Sequence, residues 1–433
     1  MSTIESITTF GKKIIPTQLF RAAQPLYHYL LAFAGAVLYR FPARDLVIVG
    51  VTGTKGKSTV SEIIAHGLRM HGHTVALSNT VHFVTDTVEE RNLFKMSMPG
   101  RFVMQRFLRQ AVARGCTHAV VEMTSEGARF FRHTFIDMDV LVVTNLTPEH
   151  IESHGSFEKY RDAKLSIAKK LDRSRKTIKV LVVNADDPEH EHFVLAAPNA
   201  EAREVHGGDG GTIDVSDTRT STFTFAGRPL TLRLPGSFNV MNALQAASAL
   251  DALGVPDTSI REALETFPGI RGRVEYVSIP EHSFPFDVVV DYAHTIDSLQ
   301  SFYTIFKDHY TIAVLGNCGG GRDAWKRPAM AELAATMCDE VILTNEDPYD
   351  EDPEQILQQM AEGVTDTSKL TILLDRRSAI AESLKRGAAH PGSFVLITGK
   401  GTDPFIMGPD GSKEPWDDAT VVREELGALS RTV

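Results

Sequence analysis

The chain reads as an α/β protein with two sheet domains. A central domain with a mostly parallel sheet is followed by a Rossmann-like C-terminal domain and preceded by a short helical N-terminal segment. Two series of short apolar strands, separated by stretches of helical spacing, predict this, together with a glycine-rich turn at the end of the first strand. The composition agrees: of 433 residues 42% are apolar and 23% charged, the balance of a chain that buries several cores. A formal net charge of −10, with no long basic run, argues against nucleic-acid binding, which draws mainly on phosphate neutralisation. Cys116, Cys318 and Cys338 lie far apart and form no CxxC pair, which points to a reducing compartment and no structural zinc site.

The elements follow in order. YLLAFAGAVLY (29–39) is shorter than the ~20 apolar residues a membrane span needs. Pro16, Arg21 and Pro25 precede it and no small-residue cleavage site follows, which disfavours a signal peptide. It predicts a helix docked on the body of the protein, or one lying in a membrane interface with Lys12, Lys13 and Arg21 towards anionic lipid. LVIVGV (46–51), HAVVE (118–122), VLVVTN (140–145) and VLVVN (180–184) are near-continuous apolar runs, as a parallel sheet covered on both faces requires. Val60, Ile63, Ile64, Gly67 and Leu68 carry the spacing of a helix packed on that sheet. Residues 201–235 are rich in Gly, Thr and Asp, and STFTF and LTLRL alternate, which predicts a small antiparallel excursion. A second series then runs DVVVD (287–291), IAVLG (312–316), VILT (341–344), TILL (371–374) and FVLIT (394–398). Pro and Gly interrupt the pattern at 268–273, so the expected units are 1–45, 46–272 and 273–433.

The first strand runs into TGTKGKST (52–59) and then a helix. Gly53 and Gly56 let the backbone fold tightly so that N–H groups converge on phosphate oxygens, flanked by Thr54, Lys55 and Thr59. Lys57 reaches the distal phosphates and the Ser58 hydroxyl suits Mg²⁺, so this P-loop predicts ATP and Mg²⁺ as cofactors. Val51 stands where the usual G-x-x-x-x-G-K-[ST] pattern has its first glycine, so the loop is a variant. Glu122 ends a strand, where doubly wound sheets bind ligands and a hard cation finds oxygen. TNLTPEHIESHG brings Glu149, His150, Glu152 and His154, and Lys164 follows on the next helix; taken alone, these histidines could be ordinary loop residues and Lys164 a solvated lysine.

These motifs, followed in order by NADDP, LPGSFNVMNALQAASAL, GRVE, DYAHTIDSL, GNCGGGRDAWKRP and ITGKGTDPF, resemble the Mur ligase family of ATP-dependent amide-forming enzymes over about residues 46–430. The likeness is greatest to members that add the third residue of the peptidoglycan stem peptide. The resemblance implies that Lys57 and Ser58 bind ATP phosphates and Mg²⁺, that Glu122 and His150 are further metal ligands, and that Lys164 is carbamylated and supports a second metal. Asn239 and Asn242 would lie near the adenine, though alone they could simply cap a helix. Arg273 and Asp291 would contact the nucleotide, with His294 in the same motif. Lys326 would reach the γ-phosphate when the domains close, so Lys57, Lys164, Lys326 and His150 form the implied catalytic set. Arg322 would hold the α-carboxylate of the incoming amino acid, and Gly399 and Asp403 would lie near its distal amine.

In NEDPYDEDP, Tyr349 stands where diaminopimelate-adding members present an arginine, and Asp347, Asp350 and Asp403 remain. Losing a cation and keeping acids favours a side chain ending in ammonium, hence lysine over meso-diaminopimelate. About 45 residues precede the loop, too few for the uridine-nucleotide domain usual in the family. Glu126, Glu149 and Ile296 depart from the usual histidine, aspartate and proline. The acceptor is therefore expected to be a UDP-linked or lipid-linked muramoyl peptide, with residues 26–39 able to bring a cytoplasmic enzyme to the membrane. Two alternatives stand beside this: a folylpolyglutamate synthetase-like ligase, and a non-catalytic nucleotide-binding relative, which Val51, Glu126 and Glu149 permit.

Overall fold

The computed structural model describes residues 17–149, 151–280, 282–321 and 324–431. Lys12, Lys13, His150 and Arg322 lie outside them, and of Arg21 only the backbone is described. The first sheet has eight strands in the order β4-β3-β2-β5-β1-β6-β7-β8. They are β1 (Val47–Thr52), β2 (Val75–Ser78), β3 (His82–Thr85), β4 (Val88–Arg91), β5 (His118–Glu122), β6 (Val140–Val143), β7 (Val180–Asn184) and β8 (Glu201–Val205). All neighbours pair in parallel except β3 and β4, an antiparallel hairpin at one edge. Alternation of side chains sends Val49 and Val51 into one core and Ile48 into the other, so both faces of β1 are dry.

The helices that cover these faces are set by their own spacing. α1 (Thr17–Leu38) lies on α3 (Arg101–Ala113). α2 (Lys57–Met70) buries Val60, Ile63, Ile64 and Leu68 completely, each worth about 1.5–3 kcal/mol relative to exposure. α4 (Phe157–Asp172) packs on the opposite face, and α5 (Ser237–Ala252) lies against α2. A Cβ on Gly67 would stand 2.6 Å from Leu250, so the close approach of α2 and α5 is a reason for that glycine. β9 (Ser221–Phe225) and β10 (Arg228–Leu232) form the expected antiparallel pair. One expectation is corrected: residues 201–205 do not belong to that excursion but extend the parallel sheet as its edge strand, Val180 facing Glu201. An edge strand with four of its five residues at least partly exposed has no apolar run to announce it.

The second sheet orders as β11-β12-β16-β13-β14-β15. It comprises β11 (Glu275–Tyr276), β12 (Asp287–Val290), β13 (Thr311–Leu315), β14 (Glu340–Leu343), β15 (Leu370–Ile372) and β16 (Phe394–Ile397), parallel except for β11. α6 (Ile296–Thr304) and α7 (Arg327–Met337) pack in the core on one of its faces, and a second core lies on the other. A hairpin of β17 (Phe405–Met407) and β18 (Lys413–Pro415) follows β16. Among the described residues no helix is long and apolar enough to cross a membrane.

Candidate functional site

The loop at the end of β1 is built from backbone constraints. Gly53 has φ +144° and Gly56 φ +79°, and a Cβ at either would collide, with Thr144 Oγ1 and with Asn242 Oδ1 respectively. α2 begins at Lys57 with Gly56 as its N-cap and no side chain capping it, so its first-turn N–H groups stay available to an anion. The loop is clamped from the next strand: Asn145 O accepts from Thr54 N and Asn145 Oδ1 from Lys55 N, both at 2.9 Å. Thr54 Oγ1 lies 3.0 Å from the hydroxyl of Tyr160 on α4. Lys57 Nζ donates to Thr54 O at 2.8 Å.

Hard oxygens converge beside it. Glu122 is 1% exposed, and its Oε2 accepts from Ser58 Oγ at 2.8 Å and from Thr80 N at 3.2 Å, while Oε1 accepts from Thr80 Oγ1 at 3.0 Å. Among the described residues no three of His, Cys, Asp and Glu gather as a metal cluster. A hydroxyl and a carboxylate 2.8 Å apart are oxygen donors of the kind that fit Mg²⁺, which is commonly held by one or two carboxylates, waters and substrate phosphates. Lys164, fully enclosed on α4, donates to Gly53 O; burial and the nearby Lys57 charge hold its amine well below the ordinary lysine range, against the pull of Glu149 and Glu122.

The second lobe meets this loop. Lys55 Nζ pairs with Asp297 on α6 at 3.3 Å, and Glu149 Oε1 lies 3.6 Å from His294 Nε2. His294 Nδ1 lies 2.7 Å from Tyr292 O, and Arg273 stacks over the Tyr292 ring at 4.3 Å. Asp291 accepts from Val274 N at 2.8 Å and Ala293 N at 2.7 Å, which shapes the turn after β12. Asn239 donates to Pro235 O at 2.8 Å and accepts from Asn242 at 3.2 Å; Asn242 in turn abuts Gly56, so this pair braces the loop at 52–59. Lys326 is buried in the short helix Ala324–Lys326 ahead of α7.

A second cluster forms where β14 and β16 end. Lys400, 1% exposed, donates to Asp347 Oδ1 at 2.8 Å, to Asp403 Oδ2 at 2.9 Å and to Phe405 O at 2.6 Å. Lys95, from the loop after β4, reaches across to the same two carboxylates at 2.7 and 3.0 Å. These cations hold Asp347 below the usual carboxylate range in spite of its burial. Two carboxylate oxygens, Glu346 Oε2 and Asp403 Oδ1, are buried with no hydrogen-bond partner among the described residues. A Cβ on Gly399 would stand 2.6 Å from Glu346 Oε2, so that glycine lets the buried carboxylate pack directly against the backbone. Asp350 accepts from Asp410 N at 2.8 Å, and Tyr349 adopts φ +53° with its N–H on Met407 O. Sequence reasoning missed Lys95, Glu346 and Lys400; only Glu346, next to Asp347 at a strand end, had a signal.

The Mur ligase middle domain matches residues 51–250, and the Mur ligase glutamate ligase domain matches residues 272–401. A UDP-N-acetylmuramyl-tripeptide synthetase from Roseiflexus sp. (strain RS-1) is 37% identical over 422 residues, covering 92% of this chain and 82% of the relative. A UDP-N-acetylmuramoyl-L-alanyl-D-glutamate–2,6-diaminopimelate ligase from Halalkalibacterium halodurans is 34% identical over 405 residues, 92% of this chain and 81% of the relative. Among solved structures, a ligase of that same description aligns with TM-score 0.60 at 28% identity, covering 89% of this chain and 79% of its own. A Mycobacterium tuberculosis folylpolyglutamate synthase aligns with TM-score 0.68 at 16% identity, covering 88% and 94%, a likeness of fold alone.

Proposed function

The chain belongs to the Mur ligase family and is an ATP-dependent ligase; from that premise we propose that it joins a diamino acid, at stem position three, to a muramoyl-dipeptide precursor of peptidoglycan. The observation that carries the reading is the loop at 52–59. Its helix start is uncapped, its lysine and serine sit at the two P-loop positions, and the other lobe is paired across it through Lys55–Asp297 and Glu149–His294.

The chemistry has two steps. A carboxylate of the acceptor attacks the γ-phosphorus of ATP, the bond to the ADP oxygen breaks, and an acyl phosphate forms. The amine of the amino acid then attacks the acyl carbon and gives up a proton as phosphate leaves. Anions must first approach one another, so the amides of the loop and the Lys57 ammonium act by neutralising charge where it accumulates. Lys326 adds a cation from the second lobe. Magnesium, when bound, supplies further neutralisation and orientation; Ser58 and Glu122 would hold it, with His150. Lys164 deepens that set: burial and the Lys57 charge disfavour its ammonium form, and its free amine takes up CO₂ with loss of a proton to become a carbamate.

For the amine, the partnerless oxygens of Glu346 and Asp403 suit an ammonium, and Tyr349 offers no charge to a distal carboxylate, so lysine is favoured over meso-diaminopimelate. Arg322 is assigned to the α-carboxylate. The acceptor is UDP-linked or lipid-linked, and the enzyme works in the cytoplasm. The test offers purified protein, ATP and Mg²⁺ a panel of amino acids against both acceptors, with products read by mass. A lysine-containing tripeptide is expected. Equal turnover with diaminopimelate would overturn the lysine preference, and glutamate addition to folate would transfer the chain to the folate branch.

A further inference from the structure

α1 is amphipathic in reverse. The side it turns to the protein carries its smallest residues: Ala32 is 4% exposed, Ala36 is fully buried, and a Cβ on Gly35 would stand 3.5 Å from Phe102. The side turned to solvent carries its largest: Leu26, Leu30, Phe33 and Val37 recur at i, i+4, i+7 and i+11 and are 45–62% exposed. A helix whose role is to complete a core buries its large side chains; this one holds a contiguous apolar stripe in water, the mark of an interaction surface.

Beside the stripe opens a cleft of about 1120 Å³ with two unlike walls. One is aromatic: Tyr29 and Phe33 of α1 meet Phe135 at ring distances of 5.5 and 5.6 Å. The other is cationic: Arg44 joins Lys159 and Lys169 of α4 and Arg173 and Arg175 just beyond it. The acids there are Asp162 and Asp137, the latter paired with Lys170. In a chain with formal charge −10 this is a local reversal of sign. His133 also lines the cleft, buried, with Nδ1 lacking any partner among the described residues.

We propose that the stripe and the cleft form one docking surface for a bilayer containing anionic phospholipid, with α1 lying in the interface and the cationic wall on the head groups. Large apolar side chains next to a basic wall are the two components such a surface uses together, and the helix does not span. A second copy of the chain is disfavoured as the occupant, because a two-fold contact would set the cationic wall against itself. Nothing in the proposal depends on the ligase reading, since Leu30, Phe33, Arg173 and Arg175 have no part in the nucleotide site. It does have a consequence for geometry: α4 presents Lys164 to the phosphate loop on one side and lines the cleft with the other.

The test is flotation of the full chain with vesicles of phosphatidylcholine alone and of phosphatidylcholine mixed with phosphatidylglycerol, at low and high salt. Binding to the mixed vesicles, weakened by salt, is the expected result. Loss of each cation is expected to weaken it about fivefold, so Arg173→Glu with Arg175→Glu removes the preference for anionic lipid, and Leu30→Glu with Phe33→Glu abolishes flotation. Both variants are expected to keep the parent's melting temperature, which separates lost docking from lost folding. Several results overturn the proposal: no flotation, flotation indifferent to lipid charge or to the Leu30 and Phe33 changes, or light scattering that shows a dimer dissolved by those changes. Flotation that appears only after removal of residues 1–16 would assign the face to that segment and overturn it equally.

Discussion

Lys57 and Glu122 occupy the two sides of the loop at 52–59, one a cation resting on the Thr54 carbonyl, the other a carboxylate that accepts from Ser58. In the proposed function Lys57 offsets developing phosphoryl charge, so Lys57→Ala is expected to lower ADP-forming turnover by about 10²-fold or more while leaving the circular dichroism unchanged. Near-parental turnover would mean the loop is not the phosphate site. Glu122→Gln keeps the shape and the Ser58 contact but removes a charge from the oxygen set, so the magnesium concentration for half-maximal turnover is expected to rise. An unchanged magnesium dependence would detach Glu122 from the metal. Their placement was legible in the sequence, because strand, glycine turn and lysine are adjacent and Glu122 ends a strand. Lys95 and Asp347 were not legible as partners, since they are 252 residues apart and meet only when the lobes do. The acids read as an open ammonium pocket are in fact partly neutralised by Lys400 and Lys95, a fact of tertiary structure that spacing does not carry.

Elements with continuous β-branched runs were legible to within a residue or two, because a strand buried on both faces leaves no other composition. The β3–β4 hairpin was invisible for the opposite reason: VEER is exposed at every position. Yet this hairpin and the loop after it strap the lobes together. Arg91 donates to Thr402 O, to Trp416 O and to Asp417 at 2.9–3.0 Å, and Lys95, in a left-handed conformation at φ +51°, bridges Asp347 and Asp403. Charged hydrogen bonds of this kind contribute about 1.5–3 kcal/mol each. Arg91→Ala combined with Lys95→Ala is therefore expected to loosen the lobes, raising the radius of gyration in solution scattering and lowering kcat/KM for the amine. Equal scattering and equal kinetics would reduce the hairpin to an inert edge.

At the scale of the whole molecule, buried imidazoles tie stability to pH. Burial lowers His133 from its ordinary 6.5 to about 4, and burial with the neighbouring His73 does the same for His118. The unfolded chain binds these two protons near pH 6.5 and the folded one only near pH 4, so their contribution is intact above 6.5 and is lost as the pH falls towards 4. His82 works the other way: burial opposes its charge, but Glu62 and Glu89 outweigh burial and raise it, so it stabilises below 6.5 and that gain fades as pH rises past its folded value. His28 is likewise lowered to about 4, by burial and the charges of Arg101 and Arg132, and burial lowers His66 and His73 as well. Several groups displaced downward against His82 displaced upward leave a net fall of stability in acid. The urea midpoint is expected to drop between pH 7.5 and pH 5, and His133→Asn, which cannot take up the proton in either state, is expected to flatten that drop. A midpoint that holds or rises towards pH 5 would show that the Glu62–His82–Glu89 bridge, at 2.5 and 2.6 Å, outweighs the histidines that burial lowers, and that the first sheet's stability is governed from its hairpin edge rather than from its core.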